Sequence, residues 1–182
     1  MPAERVNIIG ASGVGKTTLG RALAQSLGCP YFDSDDYYHE PTDPPFRVGR
    51  EPLVRCEMVL RDLSRHAAWV LSGMVAAWEP APALDYTLVV FLYLPPPLRL
   101  ARLREREQHL YGDRIAKDGD MEHDHVSFMR WTEGYEAGSI EGTNTLGHHR
   151  AFAESSKCRV LNLHSPLSTA DQVREVLGAL NG

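Results

Sequence analysis

One stretch restricts what this chain can fold into more than any other: Gly10-Ala11-Ser12-Gly13-Val14-Gly15-Lys16-Thr17-Thr18, which matches the phosphate-loop pattern G-x-x-x-x-G-K-[ST]. Before it, Val6-Asn7-Ile8-Ile9 is a short, mostly apolar run that reads as a buried strand. After it, Leu19, Ala22, Leu23 and Leu27 fall on one face of a helix, and Gly28 stands where a left-handed cap ends one. The motif therefore has the strand–loop–helix context that separates a true phosphate loop from a chance match. Gly10, Gly13 and Gly15 let successive N–H groups turn inward towards phosphate oxygens, and the helix N-terminus adds its positive dipole end. Ser12, Val14 and Thr18 complete the loop, Lys16 supplies a mobile charge for the β/γ-phosphates, and the Thr17 hydroxyl is placed to ligate Mg²⁺. The stretch predicts a nucleoside-triphosphate site.

The remainder of the chain predicts strands and helices in alternation. Pro30-Tyr31-Phe32 is a very short strand running into Asp33-Ser34-Asp35-Asp36, read as extended, with a proline-rich loop from Pro41 to Phe46 beyond. A helix starts near Glu51-Pro52, with Leu53, Cys56, Leu60 and Leu63 as its apolar face. Trp69-Val70-Leu71 is a strand closed by Ser72-Gly73, and Thr87 to Leu94 is another, apolar throughout as strands buried on both faces are. Pro95-Pro96-Pro97 opens a helix from Leu98 to about Glu107; Gln108 to Gly119 is polar and glycine-bearing and reads as a mobile loop. Helices follow from about Met121 to Ala137 and from Leu146 to Glu154, then a strand from Arg159 to Leu163. Ser168-Thr169-Ala170-Asp171 is a capping box for a last helix with Val173, Val176, Leu177 and Leu180 on its apolar face. The fold class predicted is α/β: a doubly wound, five-stranded parallel sheet with helices on both faces and ligands at the strand C-termini.

At 182 residues the chain reads as one domain. A net charge of −5 argues against a general nucleic-acid or anionic-membrane partner, and no apolar run is long enough to span a bilayer. Cys29, Cys56 and Cys158 lack metal-ligand spacing and suit a reducing compartment, so the cytoplasm is expected; oligomeric state is left open. His123-Asp124-His125 and His148-His149 do not put two histidines one helical turn apart, which favours solvated or capping roles over a metal site. Trp69, Trp78 and Trp131 have no interleaved basic residues and read as core or pocket wall.

Absences narrow the class. No Asn-Lys pair exists to read guanine, and no carboxylate ends either long apolar strand as motor-type ATPases require. The acidic cluster instead follows the second strand, where Asp33 and Asp35 would meet Mg²⁺ and an acceptor hydroxyl.

On Gly10 to Thr18, Phe32-Asp33-Ser34-Asp35, Ser72-Gly73 and the arginine-bearing segment from Arg99 to Arg114, the chain resembles small-molecule kinases of the shikimate, gluconate and adenylate kinase type. The resemblance implies a P-loop fold of the nucleoside monophosphate kinase kind and cofactors ATP and Mg²⁺. It gives Asp33 the metal role and Asp35 the acceptor role. It also implies a lid over ATP, which residues 108–119 would form. Asp36-Tyr37-Tyr38 resembles the Asp-Phe-Tyr element of uridine-type nucleoside kinases and makes Asp36 a second candidate for the acceptor. Arg99, Arg102 and Arg106 form one helical stripe, from which Arg102 and Arg106 are the catalytic candidates; Arg114 in the lid is a candidate for ATP, and Arg130 on the next helix for substrate. Residues 37–66 occupy the place of an acceptor-binding module, where Arg47, Arg50 and Arg55 are candidates for an acceptor carboxylate or phosphate, with Gly73 alongside. The expected activity is transfer of the γ-phosphoryl group to a hydroxyl of a small metabolite or nucleoside. The alternatives are a nucleoside monophosphate kinase and a non-catalytic ATP-binding regulator.

Overall fold

The computed structural model describes residues 3–139, 144–164 and 166–182. Five strands, β1 (Arg5–Ile9), β2 (Tyr31–Asp33), β3 (Trp69–Ser72), β4 (Leu88–Tyr93) and β5 (Arg159–His164), form one parallel sheet in the order β2-β3-β1-β4-β5. The three inner strands are the most apolar, as expected of strands covered on both faces. Alternation along them divides the core. Val6, Ile8, Val70, Leu88, Val90 and Leu92 point to one face. There they meet Leu19 and Leu23 of α1 (Lys16–Leu27) and Val173 and Val176 of α7 (Thr169–Asn181). Ile9, Trp69, Leu71, Val89 and Phe91 point to the other, under α3 (Pro52–Leu63) and α6 (Leu146–Ser155).

The register puts the ligand-facing ends side by side. Asp33 lies opposite Ser72, and Ser72 opposite Ile8, two residues before the phosphate loop. Asn7, fully buried in the central strand, donates through Nδ2 to Leu71 O at 3.1 Å and Gly73 O at 2.8 Å, tying the exit of β3 to β1.

Several expectations need correction. Asp35 and Asp36 are not on an extended segment: Ser34–Tyr38 is a short helix, α2, nucleated by Asp33, whose Oδ1 accepts from the Asp35 N–H at 3.2 Å. The buried face of α3 is Cys56, Val59 and Leu63, whereas Leu53, in the first turn, is 58% exposed. Helix α4 (Pro96–Tyr111) does not stop near Glu107 but runs to Gly112, the first residue able to break it. Residues 108–111 are thus helical, Gly112–Ile115 forms a 3₁₀ turn, and α5 (Glu122–Glu133) ends at Gly134 rather than near Ala137. The caps at Gly28 and Ser168 are as expected. Among the described residues no helix is long and apolar enough to cross a membrane.

Candidate active site

The loop of residues 10–15 is wedged between β4 and α4. A Cβ on Gly10 (φ 145°) would lie 2.2 Å from Leu92 O, and one on Gly13 (φ 80°) 2.5 Å from Leu103 Cγ, so both positions require glycine for space as well as for conformation. Lys16 folds back over the loop, donating from Nζ to Gly10 O at 2.9 Å and Ala11 O at 3.0 Å. Burial lowers the pKa of this amine, while the carboxylates of Asp35 and Asp33 oppose the shift.

Beside it lies an oxygen-rich corner. Thr17 Oγ1 donates to Asp33 Oδ2 at 2.9 Å, and the Tyr31 hydroxyl donates to the same oxygen at 2.6 Å. Burial and that hydrogen bond push the Tyr31 phenol up, which keeps it a donor. A hydroxyl and a carboxylate this close are a donor set that fits Mg²⁺, a hard cation that takes few protein ligands and keeps its remaining positions for water and phosphate oxygen. Asp35 lines the same cleft. Desolvation there raises its carboxyl pKa, the Asp33 carboxylate raises it further, and Lys16 pulls it back. Asp36 lies outside the cleft lining.

The cleft has a volume of about 1310 Å³, above the roughly 300–1,000 Å³ usual for one small ligand. Ser12, Val14, Thr18 and Gly73 line it with the rest of the loop. A Cβ on Gly73 (φ 102°) would fall 1.9 Å from Ser34 Oγ, so glycine here is what lets α2 approach β3. From α4, Arg102 and Arg106 reach the cleft; Arg106 also donates to Glu107 at 3.2 Å and sits over the Phe128 ring. Arg99 is fully buried instead, held by Thr132 O at 3.1 Å and the Glu136 carboxylate at 2.9 Å, and ties α4 to the end of α5.

The other arginines part company. Arg47 lines the cleft and pairs with Asp124 of α5. Arg50 is spent within its own segment, on Tyr37 O, His39 O and Glu40. Arg114 grips Asp120 at 2.8 Å with Asp43 at 3.8 Å, and Arg130 lies on the exposed side of α5; neither lines the cleft. Arg55 does line it, its guanidinium 4.3 Å from the Tyr38 ring centroid and 5.1 Å from that of Trp78. Trp78 and Trp131 are pocket wall and Trp69 is core.

Sequence reasoning passed over Tyr31, whose partner Asp33 lies two residues on along β2. It gave His148-His149 solvated or capping roles, and for His149 that reading is corrected, because α6 turns its ring inward. His149 is 2% exposed, meets the Tyr135 hydroxyl at 2.7 Å through Nδ1, and is held at a pKa of about 3 by burial. It reaches the cleft floor from α6, and no local motif marks it.

A family model described as an AAA domain matches residues 6–125. Over 178 residues the chain is 34% identical to the uncharacterized protein YqaC of Bacillus subtilis (strain 168), with 98% of each chain covered. It is 35% identical over 107 residues to the shikimate kinase of Acinetobacter baumannii (strain AYE), spanning 53% of this chain and 59% of that one. The crystal structure of a gluconokinase from Sinorhizobium meliloti 1021 superposes with a TM-score of 0.56 at 18% identity, over 99% of this chain and 93% of that one; this likeness concerns the fold.

Proposed function

The chain belongs to the AAA domain family matched over residues 6–125, and from that premise we propose that it is an ATP- and Mg²⁺-dependent phosphotransferase acting on a hydroxyl of a small molecule. Sequence similarity to a shikimate kinase supports the class. One observation carries the choice of acceptor group. Next to the Thr17–Asp33 oxygen pair stands a second carboxylate, Asp35, in the same cleft and outside that pair. A phosphate acceptor would meet two carboxylates of its own sign here, whereas a hydroxyl gains an orienting acceptor and a base.

In this reading the loop amides and Lys16 bind the phosphates, Lys16 exchanging its two carbonyl partners for phosphate oxygens. Thr17 and Asp33 would hold Mg²⁺, which would supply positive charge to neutralise the phosphates. Asp35 accepts the hydroxyl proton as the new O–P bond forms and the bond to the ADP oxygen breaks. Arg102 and Arg106 stabilise the charge spread over the transferring group, and residues 108–119 close over ATP as a lid. Arg55, with no carboxylate partner among the described residues, receives an anionic group of the acceptor; Arg50 shapes the segment that carries it. Arg47 closes the site through Asp124.

The test is ADP release over a panel of hydroxylated metabolites, nucleosides and nucleotides, with products identified by mass. Lys16→Ala is expected to abolish transfer in a folded protein, because the side chain packs on its own loop and not in the core. Turnover near wild type in Lys16→Ala would overturn the kinase reading. Tight ATP binding with no acceptor turned over would favour a regulator.

A further inference from the structure

We infer that the acceptor is a flat aromatic or heteroaromatic ring bearing the hydroxyl, held at the β2–β3 side of the cleft; the inference rests on the kinase reading above. Aromatic rings face that space from two walls. Tyr38 and Phe46, 38% and 50% exposed, stand on one side with Trp78, whose ring centroid is 6.3 Å from that of Tyr38. Across the opening, Phe128 and Trp131 lie one turn apart on α5 with their rings stacked, 22° between planes. Arg55 lies over Tyr38 and Trp78 and Arg106 over Phe128, and the surface of Tyr38 and Phe46 left exposed beside them is open to a partner of like shape.

The polar groups at this side point the same way. Arg47 is taken by Asp124, and the His125 ring lies 3.5 Å from Glu107. The Asp35 carboxylate and the Arg55 guanidinium are, with Arg102 and His39, cleft groups without a hydrogen-bonded side-chain partner among the described residues. A polyhydroxylated chain or saturated ring would give up water at each hydroxyl and leave the aromatic faces unmatched. A flat ring gives up little water over its faces and meets aromatic faces and edges, with its hydroxyl at Asp35 and an anionic substituent at Arg55.

Calorimetric titration of the full chain, saturated with MgADP so that the nucleotide end is filled, tests this without requiring turnover. The ring probes are hydroxymethylbenzoate and pyridoxine; the non-aromatic probes are glycerate, gluconate and shikimate. Saturable binding confined to the ring series is expected, with Tyr38→Leu and Trp78→Leu each weakening it about tenfold, the upper range for one lost aromatic partner, while MgADP affinity holds. Exposed Tyr38 keeps the test valid should Trp78→Leu misfold. Binding of the non-aromatic series alone, ring binding indifferent to Tyr38→Leu, or no binding in either series would overturn the inference. Failure of the kinase reading shows separately, as ring binding with no ADP release from MgATP.

Discussion

At the scale of single residues, Asp35 is where burial, charge and chemistry conflict. Its carboxyl pKa is raised above 3.8, so the fold favours the protonated form, and ionising it destabilises the folded chain as the pH climbs past that value. Asp35→Asn is therefore expected to raise the thermal midpoint at neutral pH, a gain that vanishes in acid where the wild-type group is already protonated. In the proposed reaction the same change lowers single-turnover transfer by about 10²–10⁴-fold while ATP affinity holds. The acid limb of the wild-type rate profile is expected above the ordinary carboxylate range, and its loss in the variant checks the assignment. Asp33, Asp35 and the loop were legible in the sequence because their spacing carries chemistry. Their geometry was not: Asp33 caps a short helix, so Asp35 and Asp36, read as extended, lie on a helical turn. Arg50 shows the other limit, since three acceptors within reach absorb a guanidinium that composition alone presents as free.

Elements add a relation that no local pattern contains. The segment after α2 sends Arg47 to Asp124 and Asp43 towards Arg114, so two pairs of reversed polarity bridge the α2–α3 segment and the α4–α5 side. Exposed pairs contribute little to stability but bias an opening equilibrium. Arg47→Asp is expected to speed amide exchange over residues 112–125 by roughly two- to fivefold, the measure of one surface pair, and Asp124→Arg in the same chain to reverse it. Exchange unchanged in the single variant would show that the bridge carries no weight. Helix existence was legible from periodicity and caps, since Pro52 and Ser168 mark helix starts where expected and the helix expected from Leu98 begins two residues earlier, at Pro96. The extent of α4 was not. Its polar end reads like a loop until Gly112 is seen to be the first residue with a reason to stop it.

For the molecule as a whole, acid sensitivity has an identifiable source. His149 is neutral in the fold, with its pKa moved from 6.5 to about 3, so the unfolded chain takes up a proton that the folded chain refuses. Folding stability is expected to fall as the pH drops below 6.5, by up to about 1.4 kcal/mol per pH unit. Urea midpoints at pH 7 and pH 5 check this, and His149→Gln should flatten the difference. Parallel architecture was legible throughout, because apolar strands alternated with capped helices; strand order was not, since which strand lies beside β1 depends on crossovers. One feature of that order reaches into synthesis. The helix that begins at Lys16 is roofed by α7, with Leu19 and Leu23 beneath Val173 and Val176 and nearly the whole chain between them. Contacts so distant in sequence are the last for a growing chain to form. A ribosome that has released the phosphate loop has still to deliver α7 before that helix is covered, so nascent chains carry the nucleotide motif long before they carry a nucleotide site.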